Sequence, residues 1–423
     1  MLQTLFIIPS ELFGVPVFGV GWLLGVWAII SLGTSVWLAR RQGFNADTLT
    51  HLLVAVVVAV AIVFLGPGML EGANGEKGLP VRGFGVMLLV AVVAGMWLAV
   101  HRARQMRLDP EVIFSLALWL FIPGIVGARL FYVIEYWQEF QQPTLSGTLR
   151  ELANVTKGGL VVYGSVIAAF VSFLFFVKKY KLPALALADL IAPSLVLGQA
   201  IGRLGCFLNG CCYGGACDAP WSVTFPPKSP PYERQILEGQ FYGIRVAGER
   251  AAPPLIAAVA PGSSAAKGGL KPGDRIRSVD GFPVARLEDA EGALVTAARA
   301  GLPITIKTAG DAVAVTLPLV APPARSLPIH PTQLYSALDG FLICLFLLAQ
   351  YPFRRRDGET IAWLLTLYPI TRFMMEIIRT DEPGMFGTGL SISQLISLGV
   401  LAGALALWGY LLSRPKGRSG FPA

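Results

Sequence analysis

The residues with the richest chemistry lie between Gly198 and Gly215, where a long apolar segment ends in an arginine, an asparagine, several glycines and three cysteines. Arg203 stands inside the apolar part of this stretch. An arginine at the centre of a membrane-spanning helix costs about 3 kcal/mol on insertion scales. A chain that keeps one there is expected to use it, and the natural use is to bind an anionic lipid head group.

A second group of polar side chains lies on one predicted helix near the C-terminus. Tyr368, Arg372, Glu376 and Arg379 are spaced at i, i+4, i+8 and i+11, so they share one helix face, which must turn away from lipid. Rigid paired guanidinium donors fit the phosphate oxygens of an anionic lipid head group. We therefore predict a phosphate clamp of Arg203 and Arg372. The alternative is a purely structural Arg372–Glu376 ion pair.

Histidine, the side chain best suited to accept a proton near neutral pH, occurs at three positions: His51, His101 and His330. The first two are interpreted as ordinary residues at span boundaries. His330 stands beside Gln333 and Tyr335 at the entrance of a predicted span. It could act as a general base, a role worth about 10²–10⁴ in rate, or it could cap the helix. Tyrosine is a poor base, so Tyr163 is predicted to hydrogen-bond the phosphate or ester.

Four of the five cysteines cluster at one end of their predicted span: Cys206, Cys211, Cys212 and Cys217. Disulfides are the default interpretation in an oxidising compartment. A zinc site would need a more convincing ligand geometry than adjacent cysteines give. The sequence therefore predicts neither a metal nor another cofactor. The fifth cysteine, Cys344, lies in the middle of a predicted span and is interpreted as a packing residue.

Composition assigns the chain to the membrane proteins. Hydrophobic residues make up 54% and charged residues 14% of the 423 residues, and the mean hydropathy is +0.62. The net charge of +8 does not indicate a nucleic-acid partner, because the basic residues lie in short loops. The pattern predicts an all-α polytopic membrane bundle of about nine spans. They lie near residues 16–39, 49–66, 84–101, 111–134, 159–177, 184–207, 331–351, 359–378 and 390–412.

The basic segments predict the orientation of the bundle. Residues 40–41, 101–107, 178–181, 354–356 and 414–418 all fall on one side of it. The positive-inside rule places this side in the cytoplasm, with the N-terminus outside and the C-terminus inside. Because no basic residue precedes Arg40, the first span is not interpreted as a cleaved signal peptide.

Between residues 220 and 328 the long apolar runs stop, and the sequence contains charges of both signs, alternating apolar residues and frequent Gly and Pro. This change predicts an inserted α+β domain of normal size on the extracytoplasmic side. Residues 262–281 resemble the core of a PDZ domain, with a short helix, a tight turn at 271–274 and a strand ending at Asp280-Gly281. The last strands are expected at 304–308 and 312–317.

The PDZ resemblance covers residues 240–320 and implies capture of an extended C-terminal peptide by strand addition. Its carboxylate loop would be Tyr242, Gly243 and Ile244. The alternative is a PDZ fold without a free groove that merely stiffens the loop. Four segments are thus predicted: an extra transmembrane hairpin at 1–77, the insert at 220–328, and a membrane core in two parts, 78–219 and 329–423.

Six short motifs of the membrane part resemble the prolipoprotein diacylglyceryl transferase family, from about Leu79 to Leu412. They lie at residues 127–132, 158–165, 202–214, 329–335, 368–379 and 390–394. The resemblance implies a bacterial inner-membrane enzyme that moves diacylglyceryl from phosphatidylglycerol to the lipobox cysteine of a prolipoprotein. The implied catalytic residues are Arg203, Arg372, His330 and Tyr163. The implied lipid-binding residues are Arg203, Asn209, Gly214, Arg129, Gln333, Tyr335, Tyr368, Glu376 and Arg379.

The sequence departs from the family pattern at four positions. Cys206 replaces a usual Asn, Cys211 a frequent Glu, Tyr163 a frequent His, and Phe84 a common Tyr. Each change removes a polar group from the implied site. The alternative is therefore a catalytically impaired relative that serves as a membrane-anchored PDZ scaffold for envelope proteins. An intramembrane protease is disfavoured, because the chain contains neither His-Glu-x-x-His nor Gly-x-Ser-Gly with a partnering histidine.

Overall fold

The computed structural model describes residues 3–17, 19–43, 46–65, 78–141, 144, 147–148, 151–152, 159, 161–248, 253–309, 314–318, 324–379, 387–419 and 421. Gly158 and Leu160 of one family motif and residues 312–313 of the last predicted strand lie outside them. The chain forms two compact units, Met1–Val86 and Met87–Ala423.

The first unit holds short antiparallel strand pairs and a helical hairpin. Its strands are β1 (Thr4–Pro9), β2 (Glu11–Leu12), β3 (Val15–Pro16) and β4 (Gly78–Arg82), with β1 paired to β4 and β2 to β3. Helices α1 (Trp22–Gln42) and α2 (Ala46–Leu65) pack together. The Trp27 indole donates to the Ala55 carbonyl at 3.0 Å, and His51 hydrogen-bonds Thr34 at 2.8 Å.

The second unit is dominated by long apolar helices. They are α3 (Gly83–Gln105, which begins in the first unit), α4 (Pro110–Glu135), the short α5 (Trp137–Phe140), α6 (Val162–Tyr180), α7 (Ala184–Asn209), α11 (Thr332–Gln350), α12 (Glu359–Ile378) and α13 (Ile392–Ser413). Within the described part of the chain, eight helices are long and apolar enough to cross a membrane. The ninth predicted span, 49–66, falls on α2, where the described apolar stretch is only His51–Val60.

Local capping sets the ends of these helices. Asp109 accepts a hydrogen bond from the Glu111 N–H at 3.0 Å at the start of α4. Helix α7 ends at Gly210, whose left-handed φ of 79° lets its N–H reach the Cys206 carbonyl at 2.8 Å. A capping box of Ser391 and Gln394 starts α13. These caps therefore determine the residues at which α4 and α13 begin and α7 ends.

Helix α7 is the central element of the second unit. Of its most apolar window, 61% is buried, against at most 39% in the other spans. It packs against α11 and α12, while α4 packs against α6 and α12 against α13. Cys344 of α11 is buried, with its Sγ 3.4 Å from the Pro193 carbonyl of α7. The predicted packing role of Cys344 is confirmed.

A buried carboxylate ties the early part of α7 to the start of α12. Asp189 is fully buried and accepts hydrogen bonds from the N–H groups of Gly358 at 2.7 Å and Ile361 at 2.8 Å. The Arg354 Nε lies 3.8 Å from the carboxylate, and Arg102 donates to the Asp189 backbone carbonyl at 3.3 Å. This cluster was not predictable from the sequence, because its members lie far apart along the chain.

Replacing Asp189 with alanine is expected to lower the free energy of unfolding by about 3–5 kcal/mol, because it leaves two buried amides without their acceptor and takes one of two nearby carboxylates from the buried Arg354. Thermal unfolding of the purified protein in detergent measures this effect. Asp218→Ala is the matched control, since Asp218 is exposed. Equal melting temperatures for the two variants would show that the cluster does not stabilise the fold.

Between α7 and α11 the chain forms an α+β insert with its own core. Its elements are α8 (Pro230–Leu237), β5 (Ile244–Ala247), β6 (Leu255–Val259), α9 (Ser264–Lys267), β7 (Ile276–Val279), β8 (Phe282–Pro283), α10 (Leu287–Ala300), β9 (Ile304–Thr308) and β10 (Val315–Leu317). Four strands form an antiparallel sheet in the order β10-β9-β7-β8, and β5 pairs with β6.

The insert matches the predicted order of elements. Helix α9 and strand β7 lie where they were expected, and the Asp274 N–H closes the turn on the Lys271 carbonyl at 3.2 Å. Strand β9 has the predicted bounds, and β10 begins at Val315 in the described residues. The core is aliphatic, with Ile256 and Ile304 fully buried.

Candidate functional site

The candidate site lies where α7 ends, α11 begins and α12 ends. Backbone hydrogen bonds hold the loop after α7 between the other two helices. The Gly214 N–H donates to the His330 carbonyl, the His330 N–H to the Gly215 carbonyl, and the Gly215 N–H to the Ile378 carbonyl, each at 3.0 Å. Three motifs that are distant in sequence therefore come together.

Gly214 is buried where this loop crosses the start of α11. A Cβ atom at this position would lie 2.7 Å from the His330 Cβ and 2.8 Å from the Thr332 Cγ2. Real Cβ contacts are longer, so only glycine allows the two segments to approach this closely. The structure thus gives Gly214 a packing role at the site.

Gly214→Ala is expected to push the loop away from α11 and to lower the free energy of unfolding by about 1–3 kcal/mol, as in other overpacked sites. Thermal unfolding in detergent tests this. Gly399→Ala is the control, because a Cβ on Gly399 of α13 meets no atom within 4 Å. A Gly214→Ala protein that melts with the control would contradict the packing argument.

Arg203 carries a positive charge at the site that no Asp or Glu of the described residues pairs with. Its side chain is half-buried on α7, two turns before the helix ends. Among the described residues it has no hydrogen bond and no ion pair. Its guanidinium lies within electrostatic range of Tyr368, Cys212 and a second cation, Arg379. Two like charges without an intervening acid form a site for an external anion.

The other two arginines share one carboxylate. Glu376 contacts an Nη1 of Arg372 one turn before it, and its Oε2 lies 3.4 Å from the Arg379 Nη1. Both guanidinium groups are largely buried. The ion pair that the sequence left as an alternative therefore exists. It does not neutralise the group, because this one carboxylate is shared by two arginines. Arg379 is an electrostatic neighbour of Arg203, and the clamp of Arg203 and Arg372 stays a prediction.

Ser393 is a site residue that the sequence reasoning missed. The Arg372 Nη2 donates to its Oγ at 3.0 Å, and the Tyr163 hydroxyl lies 3.4 Å from the same oxygen. Ser393 therefore links α6, α12 and α13. Its motif, residues 390–394, was listed among the family-like motifs, but no site role was predicted for Ser393. The Ser-x-x-Gln pattern of Ser391 and Gln394 is typical of a capping box and could have predicted that Ser393 lies in the first turn of a helix.

His330 does not cap α11, so that alternative is wrong. The N-cap residue is Pro331, and no side chain caps the helix. The His330 Nδ1 instead lies 3.3 Å from the Tyr335 hydroxyl. Gln333 is fully buried and donates to the Cys211 carbonyl at 2.7 Å. Gln333 thus helps to fix the loop after α7.

Arg129 binds three backbone carbonyls of the segment before α6. Its Nε, Nη1 and Nη2 donate to the backbone carbonyls of Leu152, Gly159 and Glu151 at 3.0, 3.2 and 2.9 Å. It thereby fastens the segment before α6 to α4. The Asn209 side chain hydrogen-bonds Cys211.

The predicted disulfides are not formed, since all five cysteines are free thiols. The Sγ atoms of Cys206, Cys211 and Cys212 lie within 4.8 Å of one another. Hydrogen bonds from the other two thiols lower the pKa of the Cys212 thiol, and the charges of Arg203 and Arg379 act in the same direction. Cys217 is buried outside this cluster.

An apolar cavity of about 380 Å³ lies along the same central helix. It is enclosed by α3, α4, α6 and α7, and its lining includes Ala99, Leu116, Val166 and Ile191. Gly198 of α7, which stands five residues before Arg203, also lines it. Helix α7 therefore lines an apolar cavity and, further along the same helix, carries the cationic Arg203. A ligand with a fatty chain and an anionic head group needs both kinds of surface.

These features define a class: a multi-pass membrane protein with an arginine-rich site at its helix ends and an apolar cavity on the same central helix. The family model described as Prolipoprotein diacylglyceryl transferase matches residues 75–410. The chain belongs to this family, and the resemblance seen in its motifs is confirmed.

Individual relatives extend the similarity. The phosphatidylglycerol--prolipoprotein diacylglyceryl transferase of Rhodopirellula baltica is 34% identical over 443 residues, which cover 96% of this chain and 88% of the relative. The transferase 2 of Clostridium perfringens is 25% identical over 342 residues, 81% of this chain and 94% of the relative. The Thermosynechococcus vestitus enzyme is 38% identical over 173 residues, 40% of this chain and 62% of the relative.

Proposed function

We propose that this chain transfers the diacylglyceryl group of phosphatidylglycerol to the lipobox cysteine of a prolipoprotein and releases glycerol phosphate. The observation that carries the proposal is the half-buried guanidinium of Arg203, which faces Arg379 without an acid of its own. Membership of the transferase family supplies the reaction class.

The reaction is a displacement at carbon. The acceptor sulfur attacks the glyceryl carbon that bears the phosphate, the sulfur–carbon bond forms, and the carbon–oxygen bond to phosphate breaks. The electron pair leaves on the glycerol phosphate, and the thiol proton passes to a base. Guanidinium groups that face the phosphate stabilise the developing charge, which is commonly the largest catalytic contribution.

In this proposal Arg203 and Arg379 hold the phosphate, and Arg372 supports them through Glu376. Ser393 and Tyr163 fix the orientation of Arg372 or reach the ester. Asn209, Gly214, Gln333 and Tyr368 shape the pocket for the head group. Arg129 holds the wall of the site, in keeping with its three backbone contacts.

His330 is the proposed base. Its Nδ1 faces the Tyr335 hydroxyl at 3.3 Å, which can fix the ring orientation and leave Nε2 to accept the thiol proton. The His330 backbone is bound to the loop that carries the cysteines. The base and the phosphate site therefore belong to one connected assembly.

The site is proposed to open to the extracytoplasmic side of the inner membrane. It lies at the ends of α7 and α12, near the insert in the chain, whereas the basic residues Arg354 and Arg356 precede α12. The positive-inside rule places those basic residues in the cytoplasm. Phosphatidylglycerol then enters sideways from the outer leaflet, and glycerol phosphate leaves to the outside.

Complementation tests the proposal. The wild-type chain is expressed in a bacterial strain depleted of its own transferase, and prolipoprotein modification is followed by the mobility of a reporter lipoprotein. Rescue is expected. If the inserted wild-type protein neither rescues growth nor modifies the reporter, the impaired-scaffold alternative takes its place.

We also propose that the insert is a PDZ-like domain that binds a C-terminal peptide along β5. Its order of elements supports this, and β5 follows Tyr242 and Gly243 directly. In the described residues only β6 pairs with β5, and α10 packs nearby. Two contacts favour the stiffening alternative: α8 packs against β5, and the Gly243 N–H already donates to the Gly239 carbonyl at 2.8 Å.

Peptide binding by the full-length protein in nanodiscs separates these two readings. A library of peptides with free C-termini is expected to yield ligands whose affinity is lost when the carboxylate is amidated. If free and amidated peptides behave alike, the insert only stiffens its loop.

A further inference from the structure

Three thiol groups form a cluster that the proposed reaction does not use. The Sγ atoms of Cys206, Cys211 and Cys212 all lie within 4.8 Å of one another, and none of them is in a disulfide. A tetrahedral zinc ion with Zn–S bonds of about 2.3 Å needs sulfur atoms about 3.8 Å apart. The three Sγ atoms are thus at most about 1 Å farther apart than zinc requires.

The backbone holds the cluster in place from two sides. The left-handed Gly210 turns the chain back at the end of α7, and the Cys211 N–H donates to the Cys206 carbonyl at 3.1 Å. On the other side, Gln333 donates to the Cys211 carbonyl at 2.7 Å and Thr332 to the Cys212 carbonyl at 2.8 Å. Supporting contacts of this kind orient metal ligands in known sites.

We propose that Cys206, Cys211 and Cys212 bind one zinc ion. Soft thiolate ligands in a tripod select zinc or a similar thiophilic metal over magnesium or calcium. Three thiolates and Zn²⁺ carry a net charge of −1. Arg203 and Arg379 lie within electrostatic range of Cys212.

Three protein ligands leave the fourth tetrahedral position of zinc open, as in catalytic rather than structural sites. The open position takes the thiol of the lipobox cysteine, a role that rests on the proposed transferase function. A zinc ion held there would lower the pKa of the acceptor thiol, whose proton would pass to His330 before the sulfur attacks the glyceryl carbon.

Metal analysis of the reduced full-length protein, purified in detergent and loaded with zinc, tests the site. We expect one zinc per chain in the wild type and a content near zero in Cys206→Ser, Cys211→Ser and Cys212→Ser. Cys217→Ser and Cys344→Ser are the matched controls and should keep the metal. A zinc-free wild type, or metal retained in all three cluster variants, overturns the inference.

Cobalt substitution of the wild type keeps the test independent of variant folding. Tetrahedral Co²⁺ bound by thiolates is expected to give intense visible d–d bands, which shift when a lipobox cysteine peptide is added but not with its serine analogue. Absence of these bands contradicts the metal site, and bands that the cysteine peptide leaves unchanged contradict the fourth-ligand role. Because both readouts are spectroscopic, they stand apart from complementation: failed rescue with bound metal overturns only the proposed function.

Discussion

Arg203→Ala is expected to reduce diacylglyceryl transfer by about 10²–10³, the loss seen when one preorganised group that stabilises transition-state charge is removed. The reason is that the Arg203 guanidinium has no acid partner among the described residues, so its charge is available to the phosphate. Transfer is measured with labelled phosphatidylglycerol and a lipobox peptide in membranes that contain equal amounts of each variant.

Two further variants separate charge from geometry at this position. Arg203→Lys keeps the charge but loses the paired donors, and it is expected to recover only part of the activity. Arg104→Ala removes an exposed arginine of the basic loop after α3 and should leave transfer unchanged. If Arg203→Ala transfers diacylglyceryl at the same rate as the wild type and the Arg104→Ala control, Arg203 does not bind the phosphate.

The membrane fold was predictable because its signal is local. Runs of about 20 apolar residues are required to cross the hydrocarbon core, so each run by itself predicts a membrane-spanning helix. Helix α7 extends over Ala184–Asn209 where 184–207 was expected, and α11 over Thr332–Gln350 where 331–351 was expected. The small differences arise at caps such as Gly210, which hydropathy does not detect.

The pairing within the site was less predictable. The sequence identified the arginines of α7 and α12, since a charged residue in an apolar run is conspicuous. It could not tell that Arg379 lies within electrostatic range of Arg203, because this depends on how α7 packs against the end of α12. For the same reason Ser393 and the Asp189 cluster were missed, as both link residues from separate helices.

The cysteines show a third limit. Adjacent cysteines in an oxidising compartment predict disulfides, and spacing alone did not suggest a metal. The turn at Gly210 changes this reading, because it folds Cys211 and Cys212 back toward Cys206 in the last turn of α7. The arrangement of the three thiols therefore depends on how the chain turns at the end of α7, which the spacing of the cysteines does not reveal.

Glu376→Ala is expected to have the second large effect, because this one buried carboxylate lies between Arg372 and Arg379. Its removal leaves two largely buried guanidinium groups facing each other. Breaking a buried ion pair from one side costs about 3–5 kcal/mol, so the melting temperature should fall as well as the transfer rate. Both are measured on the same detergent-purified protein.

Glu376→Gln tests whether the carboxylate acts through its charge or only through its shape. The amide keeps the volume and one acceptor oxygen but does not neutralise the arginines. If Glu376 is a positioning residue for Arg379, the glutamine variant should keep most of its thermal stability and still transfer slowly, with the loss concentrated in kcat. A glutamine variant with wild-type kcat would mean that Arg379 reaches the phosphate without help, and that Arg203 and Arg379 alone determine the binding of the head group.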